Sequence, residues 1–339
     1  MKKIRLSPSG KTVTCDDGQT VLSALEKGGL FIPNNCRAGA CGECKIKVLK
    51  GQYDQGFILD MALSQQDREQ GYGLMCMAKV TSDELEIEYA TEDAKPKLFP
   101  PEENRTFMVT EKVMVTPKIA RLKMRSLGKP MRFWPGQYIT LGNTSEGVPH
   151  KSYSIANIPN QDGELVLYVT KVENGKTSQW VHDSLKSGDM VRINGPYGTF
   201  IGDPQADTPV LCLASGSGLA PIMSLASAAL MRGGYRKPAT VLFSASHESD
   251  LIEPGYFKYM EAKYRNFTYQ ATLTKEKKDG YESGRIPTIL GKLHPDLSKT
   301  SLYIAGSPEF VKDCKEAAVK LGAKEELIHE EGFFNQTTV

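Results

Sequence analysis

No run of eighteen consecutive apolar residues occurs in this chain of 339, which argues against a membrane-spanning helix. The start, Met1-Lys2-Lys3-Ile4-Arg5-Leu6-Ser7-Pro8, lacks the apolar core that a signal peptide needs. Charge of one sign is scarce too: 42 basic residues against 40 acidic ones leave a formal net charge of +2. With no basic stripe interleaved with aromatics, that balance offers nucleic acid no footprint. No internal repeat is evident. What is present is ordinary for a soluble globular protein, 40% hydrophobic and 24% charged residues, in a length that points to two or three domains. Of seven cysteines, Cys15, Cys212 and Cys314 are scattered singly and read as small buried hydrophobes. Free thiols without an export signal imply a reducing, cytoplasmic setting.

The other four cysteines carry chemistry. Cys36, Cys41 and Cys44 lie in Cys36-Arg37-Ala38-Gly39-Ala40-Cys41-Gly42-Glu43-Cys44, and Cys76 follows in Leu74-Met75-Cys76-Met77. A structural zinc site pairs its ligands as C-x2-C…C-x2-C, and a disulfide framework suits a small secreted domain. Here three ligands crowd one loop of small residues and the fourth stands alone. The spacing C-x4-C-x2-C…C is that of plant-type ferredoxins, whose four thiolates hold a 2Fe–2S cluster. Gly39, Ala40 and Gly42 let backbone N–H groups turn toward cluster sulfurs. Residues 1–90 contain eleven basic and twelve acidic residues, a net of −1, and resemble a plant-type ferredoxin of β-grasp fold throughout. Short strands are expected at Lys2–Leu6, Lys11–Cys15, Lys45–Leu49 and Leu85–Tyr89, with a helix from Val21 to Lys27 capped by Thr20.

Residues 91–104, TEDAKPKLFPPEEN, are charged, proline-rich and aperiodic, and read as a linker. Residues 105–205 are strand-rich, as an antiparallel barrel requires, with strands expected at Thr106–Val115, Gln137–Leu141, Glu164–Thr170 and Met190–Asn194. Residues 206–339 alternate strands (Val210–Ala214, Ala239–Ser244, Phe267–Leu273, Ser301–Ala305) with helices (Leu219–Arg232, Gly255–Arg265, Glu309–Leu321). That alternation predicts a doubly wound parallel α/β sheet.

Within the barrel segment, Phe133-Trp134-Pro135-Gly136-Gln137-Tyr138, Lys151-Ser152-Tyr153-Ser154, Gly175-Lys176-Thr177-Ser178 and Gly195-Pro196-Tyr197-Gly198-Thr199-Phe200 occur in order. Together they resemble the flavin-binding domain of the ferredoxin–NADP reductase superfamily. The resemblance places Tyr153 against the flavin ring and Ser154 near its reactive nitrogen. It also gives the backbone amides of Gly175–Ser178 to the pyrophosphate. Lys151 stands where the family has arginine, so the charge is kept and the bidentate fork is lost. FMN is the alternative flavin; the ferredoxin-first order of the family implies FAD.

In the last segment, Ser215-Gly216-Ser217-Gly218-Leu219-Ala220-Pro221 joins a buried strand to a helix start, where N–H groups and the helix dipole meet a dinucleotide pyrophosphate. It resembles the family's G-T-G-x-A-P. Leu302-Tyr303-Ile304-Ala305-Gly306-Ser307-Pro308 resembles its C-G-P-P element beside the nicotinamide, with Ala305 for the customary cysteine. Glu330-Glu331-Gly332-Phe333 resembles the terminal E-x-F, which sets Phe333 against the flavin, with Phe334 as its rival; the tail 335–339 reads as solvated. Glu248 and Asp250, without arginine, lean to NADH over NADPH. Lys275, Lys277 and Lys278 weigh the other way unless they form a solvated loop, and His247 reads as a surface turn residue.

Over nearly its whole length the chain resembles the reductase components of bacterial multicomponent oxygenases. The resemblance implies an NAD(P)H-dependent oxidoreductase of three modules, with hydride passing from NADH to FAD and single electrons leaving through the cluster. Plant-type clusters lie at about −400 mV, low enough to reduce most redox proteins. The implied acceptor is an oxygenase component or an intermediate ferredoxin, and the implied reductase is monomeric. The same wiring can serve a deoxysugar dehydrase, and a non-catalytic redox sensor is the reading from another class.

Overall fold

Alternation of apolar and charged residues along Lys2–Ser7 and Glu84–Glu88 puts Ile4, Leu6, Leu85 and Ile87 on one face. The two strands pair in parallel, Ile4 opposite Leu85 and Leu6 opposite Ile87. In the computed structural model, which describes residues 1–34, 36–89, 98–203, 207–231 and 234–333, they form the centre of a five-stranded sheet. Its order is Thr12–Cys15, Lys2–Ser7, Glu84–Glu88, Lys45–Lys50, Tyr72–Leu74. The helix Val21–Lys27 starts where Thr20 Oγ1 accepts the Ser23 N–H at 3.3 Å, and Val21, Leu22, Ala24 and Leu25 bury its inner face in the sheet's core.

The chain divides into two compact units, residues 1–102 with 195–199, and 103–194 with 200–339. The second unit carries two six-stranded sheets. One is the expected barrel, in the order Val148–Ser154, Tyr138–Asn143, Met190–Tyr197, Glu102–Met114, Ile119–Ser126, Glu164–Thr170. Its edges approach where the Ala156 N–H donates to the Val166 carbonyl at 2.8 Å. Phe107, Val109, Leu122, Ile139, Leu167 and Ile193 fill it. The strand expected from Thr106 begins at Glu102, inside the stretch read as linker; residues 91–97 of that stretch lie outside the described residues.

The other sheet runs Glu282–Ser283, Phe267–Leu273, Ala239–Ala245, Val210–Ser215, Ser301–Gly306, Ile328–Gly332, parallel at every pairing. Strand order reverses at Val210–Ser215, whose neighbours on either side are reached in opposite directions along the chain. The carboxyl ends there define a ligand crevice. Barrel and parallel sheet share one apolar cluster: Ile119, Ala156, Val166 and Tyr168 pack with Leu219, Ile222, Met223 and Ile252. This shared core is why two segments with separate sequence textures form a single unit. Glu253 fastens it further. Its backbone is left-handed (φ 46°, ψ 48°), and its carboxylate bonds Arg121 and accepts the Tyr168 hydroxyl at 3.3 Å.

Phe257, 1% exposed, lies face to face with Tyr269 at 4.5 Å between ring centres and near Phe267 at 6.5 Å. Phe257→Ala is expected to lower unfolding stability by about 3–5 kcal/mol, read from the urea midpoint at unchanged m.

Candidate functional site

Three of the four clustered cysteines, Cys36, Cys44 and Cys76, are buried, and Cys41 is the more open one. Their thiols stand as two pairs, Cys36 with Cys41 and Cys44 with Cys76. Among the described residues, no group of three or more metal-binding side chains is arranged around a single ion. Two thiolate pairs are what the two irons of a 2Fe–2S cluster take. Backbone donors converge on the same sulfurs: Ala38 and Ala40 N–H reach Cys36 Sγ at 3.4 and 3.3 Å, and Cys76 N–H reaches Cys44 Sγ at 3.4 Å. The Cys41 thiol and these N–H groups pull the Cys36 thiol well below its ordinary pKa. Gly39 and Gly42 are left-handed, and a Cβ there would meet Ile58 at 2.8 Å and the Ala62 carbonyl at 2.9 Å. The loop therefore needs glycine at both places, and the donor set fits the cluster.

The flavin motifs meet along the strand Val148–Ser154. Lys151 pairs across to Leu141, Ser152 is exposed, and Tyr153 packs against the barrel core, where burial pushes its hydroxyl pKa up. The loop Gly175–Ser178 sits alongside. Thr177 Oγ1 donates to the Pro149 carbonyl at 2.5 Å, while Ser178 Oγ accepts the Val172 N–H at 3.1 Å and donates to the Gly175 carbonyl at 3.0 Å. Both hydroxyls are thus spent fastening the turn, which is what a loop offering backbone amides to a pyrophosphate requires. Lys176 is exposed.

At the crevice, the turn Gly216–Gly218 enters the helix Leu219–Met231, whose first residues Leu219, Ala220 and Pro221 are buried against the sheet. A Cβ on Gly218 would lie 2.3 Å from the Ala305 carbonyl oxygen, and one on Gly306 2.4 Å from Ser215 Oγ. Only glycine permits this contact, and it joins the two nicotinamide motifs at the reversal of strand order. Ala305 is fully buried and shapes the floor rather than the wall. Phe333 N–H donates to the Gly306 carbonyl at 2.7 Å; Phe334 and the tail 335–339 lie outside the described residues.

The sequence reading did not single out Glu331 as a site residue. Its strand Ile328–Gly332 carries two acids and no alternation, so it does not read as a strand, yet it pairs in parallel with Ser301–Gly306 and sets Glu331 opposite Ala305. Glu331 is 5% exposed, and Ser154 Oγ donates to its Oε2 at 3.4 Å. Burial raises its pKa to about 8. The acid two places before the terminal aromatic was the available signal. The selectivity segment also departs from expectation, because Lys278 is not merely solvated: it forms an ion pair with Glu248.

Comparisons with known proteins agree with this geometry. Residues 4–81 match the 2Fe-2S iron-sulfur cluster binding domain family, 106–201 the oxidoreductase FAD-binding domain family, and 212–316 the oxidoreductase NAD-binding domain family. The chain is 31% identical to the reductase subunit of an aromatic O-demethylase from Amycolatopsis sp. (strain ATCC 39116 / 75iv2), over 97% of this chain and 98% of that one. It is 34% identical to the phenol 2-monooxygenase reductase component DmpP of Pseudomonas sp. (strain CF600), over 91% and 87%. The crystal structure of the Amycolatopsis cytochrome P450 reductase GcoB superposes with a TM-score of 0.90 at 28% identity, over 98% and 99% of the two chains.

Fold and site together define an NAD(P)H-dependent oxidoreductase that uses FAD and a 2Fe–2S cluster. The chain belongs to the family of reductase components of oxygenase systems. Among the described residues no helix is long and apolar enough to cross a membrane.

Glu331 makes the stability of the protein depend on pH. An unfolded glutamate ionises near pH 4.3, and the folded one near 8, so the folded state holds its proton more tightly. Stability is then lost as pH rises across that window. Glu331→Gln is expected to remove this slope, gaining on the wild type in urea midpoint between pH 5.5 and pH 8.5.

Proposed function

We propose that the chain draws hydride from NADH at the Gly216–Gly306 crevice and releases single electrons from the Cys36, Cys41, Cys44, Cys76 cluster to an oxygenase component or an intermediate ferredoxin. The observation that carries this reading is the Ser154–Glu331 contact, which joins the flavin strand to the last strand of the nicotinamide sheet. The flavin strand and the nicotinamide sheet thereby meet within one unit. FAD, when bound, accepts two electrons together and gives them up one at a time, which is the conversion a one-electron cluster needs.

The protein's own residues do the rest. Gly175, Lys176, Thr177 and Ser178 hold the pyrophosphate by their backbone, Lys151 supplies charge, and Ser152 lines the same strand. Tyr153 gives a flat face to the ring. Gly216, Ser217 and Gly218 present N–H groups to the donor's pyrophosphate, backed by Leu219, Ala220 and Pro221. Ala305 and Gly306 would leave room for the nicotinamide, and Phe333, tied to Gly306 by its N–H, would lie against the flavin ring. Burial favours a neutral Glu331 carboxyl at pH 7, so the Ser154–Glu331 pair holds a proton in the crevice without placing a charge there. We assign 1–90 to the cluster, 91–104 to a linker whose last three residues already begin the strand Glu102–Met114, 105–205 to the flavin and 206–339 to the nicotinamide, in a monomeric cytoplasmic reductase.

The serial order is tested with Cys41→Ser. The variant is expected to lose cluster absorbance and at least nine-tenths of NADH-driven cytochrome c reduction while keeping NADH-driven ferricyanide reduction. Equal loss of both activities with flavin retained would show that the cluster is not the outlet. Supplying candidate acceptors to the holoprotein then separates an oxygenase from a deoxysugar dehydrase.

A further inference from the structure

We propose that Glu248 sets the nicotinamide preference by occupying Lys278, and that Lys278 is a masked ligand for the 2′-phosphate of NADPH. The inference deepens, and rests on, the reading of the crevice as the nicotinamide-donor site. Ala239–Ala245 is the strand beside Val210–Ser215, with Ser244 opposite Ser215, so its carboxyl end opens next to the Gly216 turn. A dinucleotide with its pyrophosphate on that turn sends its adenosine ribose toward the end of the neighbouring strand.

Two acids stand there, and the structure separates their tasks. Asp250 Oδ2 accepts the His247 N–H at 3.1 Å and lies 3.3 Å from His247 Nδ1, so it caps its own turn. Glu248 instead points to the following loop. Its Oε2 bonds Lys278 Nζ, its Oε1 accepts the Tyr281 hydroxyl at 3.3 Å, and its own N–H donates to Glu276 Oε2 at 2.8 Å. The Glu248 and Lys278 side chains are 41% and 45% exposed, so a ligand can reach both. A ribose diol donates to such a carboxylate, whereas a 2′-phosphate is repelled by it. The same carboxylate keeps the nearest ammonium paired. Neutralising Glu248 therefore removes a repulsion and releases a cation in one step.

Four holoproteins test this: wild type, Glu248→Gln, Glu248→Gln with Lys278→Gln, and Glu248→Gln with Lys277→Gln. Titration calorimetry measures 2′,5′-ADP and 5′-AMP binding, and ferricyanide reduction gives kcat/KM for NADPH and NADH. Glu248→Gln is expected to bind 2′,5′-ADP about tenfold more tightly or better, with no gain in 5′-AMP affinity and with NADPH kcat/KM raised in parallel. Adding Lys278→Gln removes the larger part of the gain, the part the freed ammonium supplies, and adding Lys277→Gln keeps it. An unchanged 2′,5′-ADP affinity in Glu248→Gln, or a gain that Lys278→Gln leaves undiminished, overturns the proposal. Failure of the wild type to bind 5′-AMP and to oxidise NADH would instead overturn the donor-site reading beneath it.

Discussion

The crevice depends on one close approach, the backbone of Gly218 lying under the carbonyl of Ala305. A methyl group on Gly218 would sit 2.3 Å from that oxygen, far inside van der Waals contact, and a second glycine, Gly306, is required against Ser215. Removing both side chains lets the ends of two adjacent parallel strands come together where strand order reverses. Everything downstream of that contact follows from it. Gly306 can then receive the Phe333 N–H, and the final strand is drawn in beside Ser301–Gly306. Glu331 is thereby buried opposite Ala305 and meets Ser154 of the barrel.

A buried carboxyl with a single long hydrogen bond is costly to ionise, and the protein accommodates it by favouring the neutral form. Ile119, Val166 and Tyr168 from the barrel pack with Leu219 and Ile222 from the sheet in the apolar cluster that the two layers share. Polar contacts fasten the two layers inside, where the buried Ser224 hydroxyl donates to the Asn157 carbonyl at 2.8 Å, and also at the Glu253 corner. There Arg121 and Tyr168 hold Glu253 in a left-handed conformation that a free chain would avoid.

The parts of the site that were legible in the sequence are those whose chemistry is local. Three cluster ligands lie within nine residues, and the glycine turn at 216–218 is flanked by its own strand and helix. The fold class was legible for the same reason, because the change from frequent turns to strand–helix alternation near residue 206 needs no long-range knowledge. Ile328–Gly332 was not, since its two acids break any alternation and only the neighbouring strand makes it a strand, whereas Ile119–Ser126 alternates apolar and charged residues as a half-buried strand does. Glu331 as a site residue and the Lys278–Glu248 pair share that cause: their partners lie 177 and 30 residues away. Thr177 and Ser178 were legible as a loop and not as its fasteners, because the acceptor for Thr177 sits on another strand.

The weak charge of the first ninety residues follows from carrying donor and carrier in one chain. A carrier that must find its reductase by diffusion gains on-rate from a strong field, which salt then weakens. Covalent linkage replaces that field with a high effective concentration. Residues 1–90 accordingly need no large charge of either sign, and their net of −1 leaves the outlet free to be selected by contact rather than by steering. The open position of Cys41 beside three buried ligands fits such an outlet, since an electron leaves a cluster where the least protein covers it.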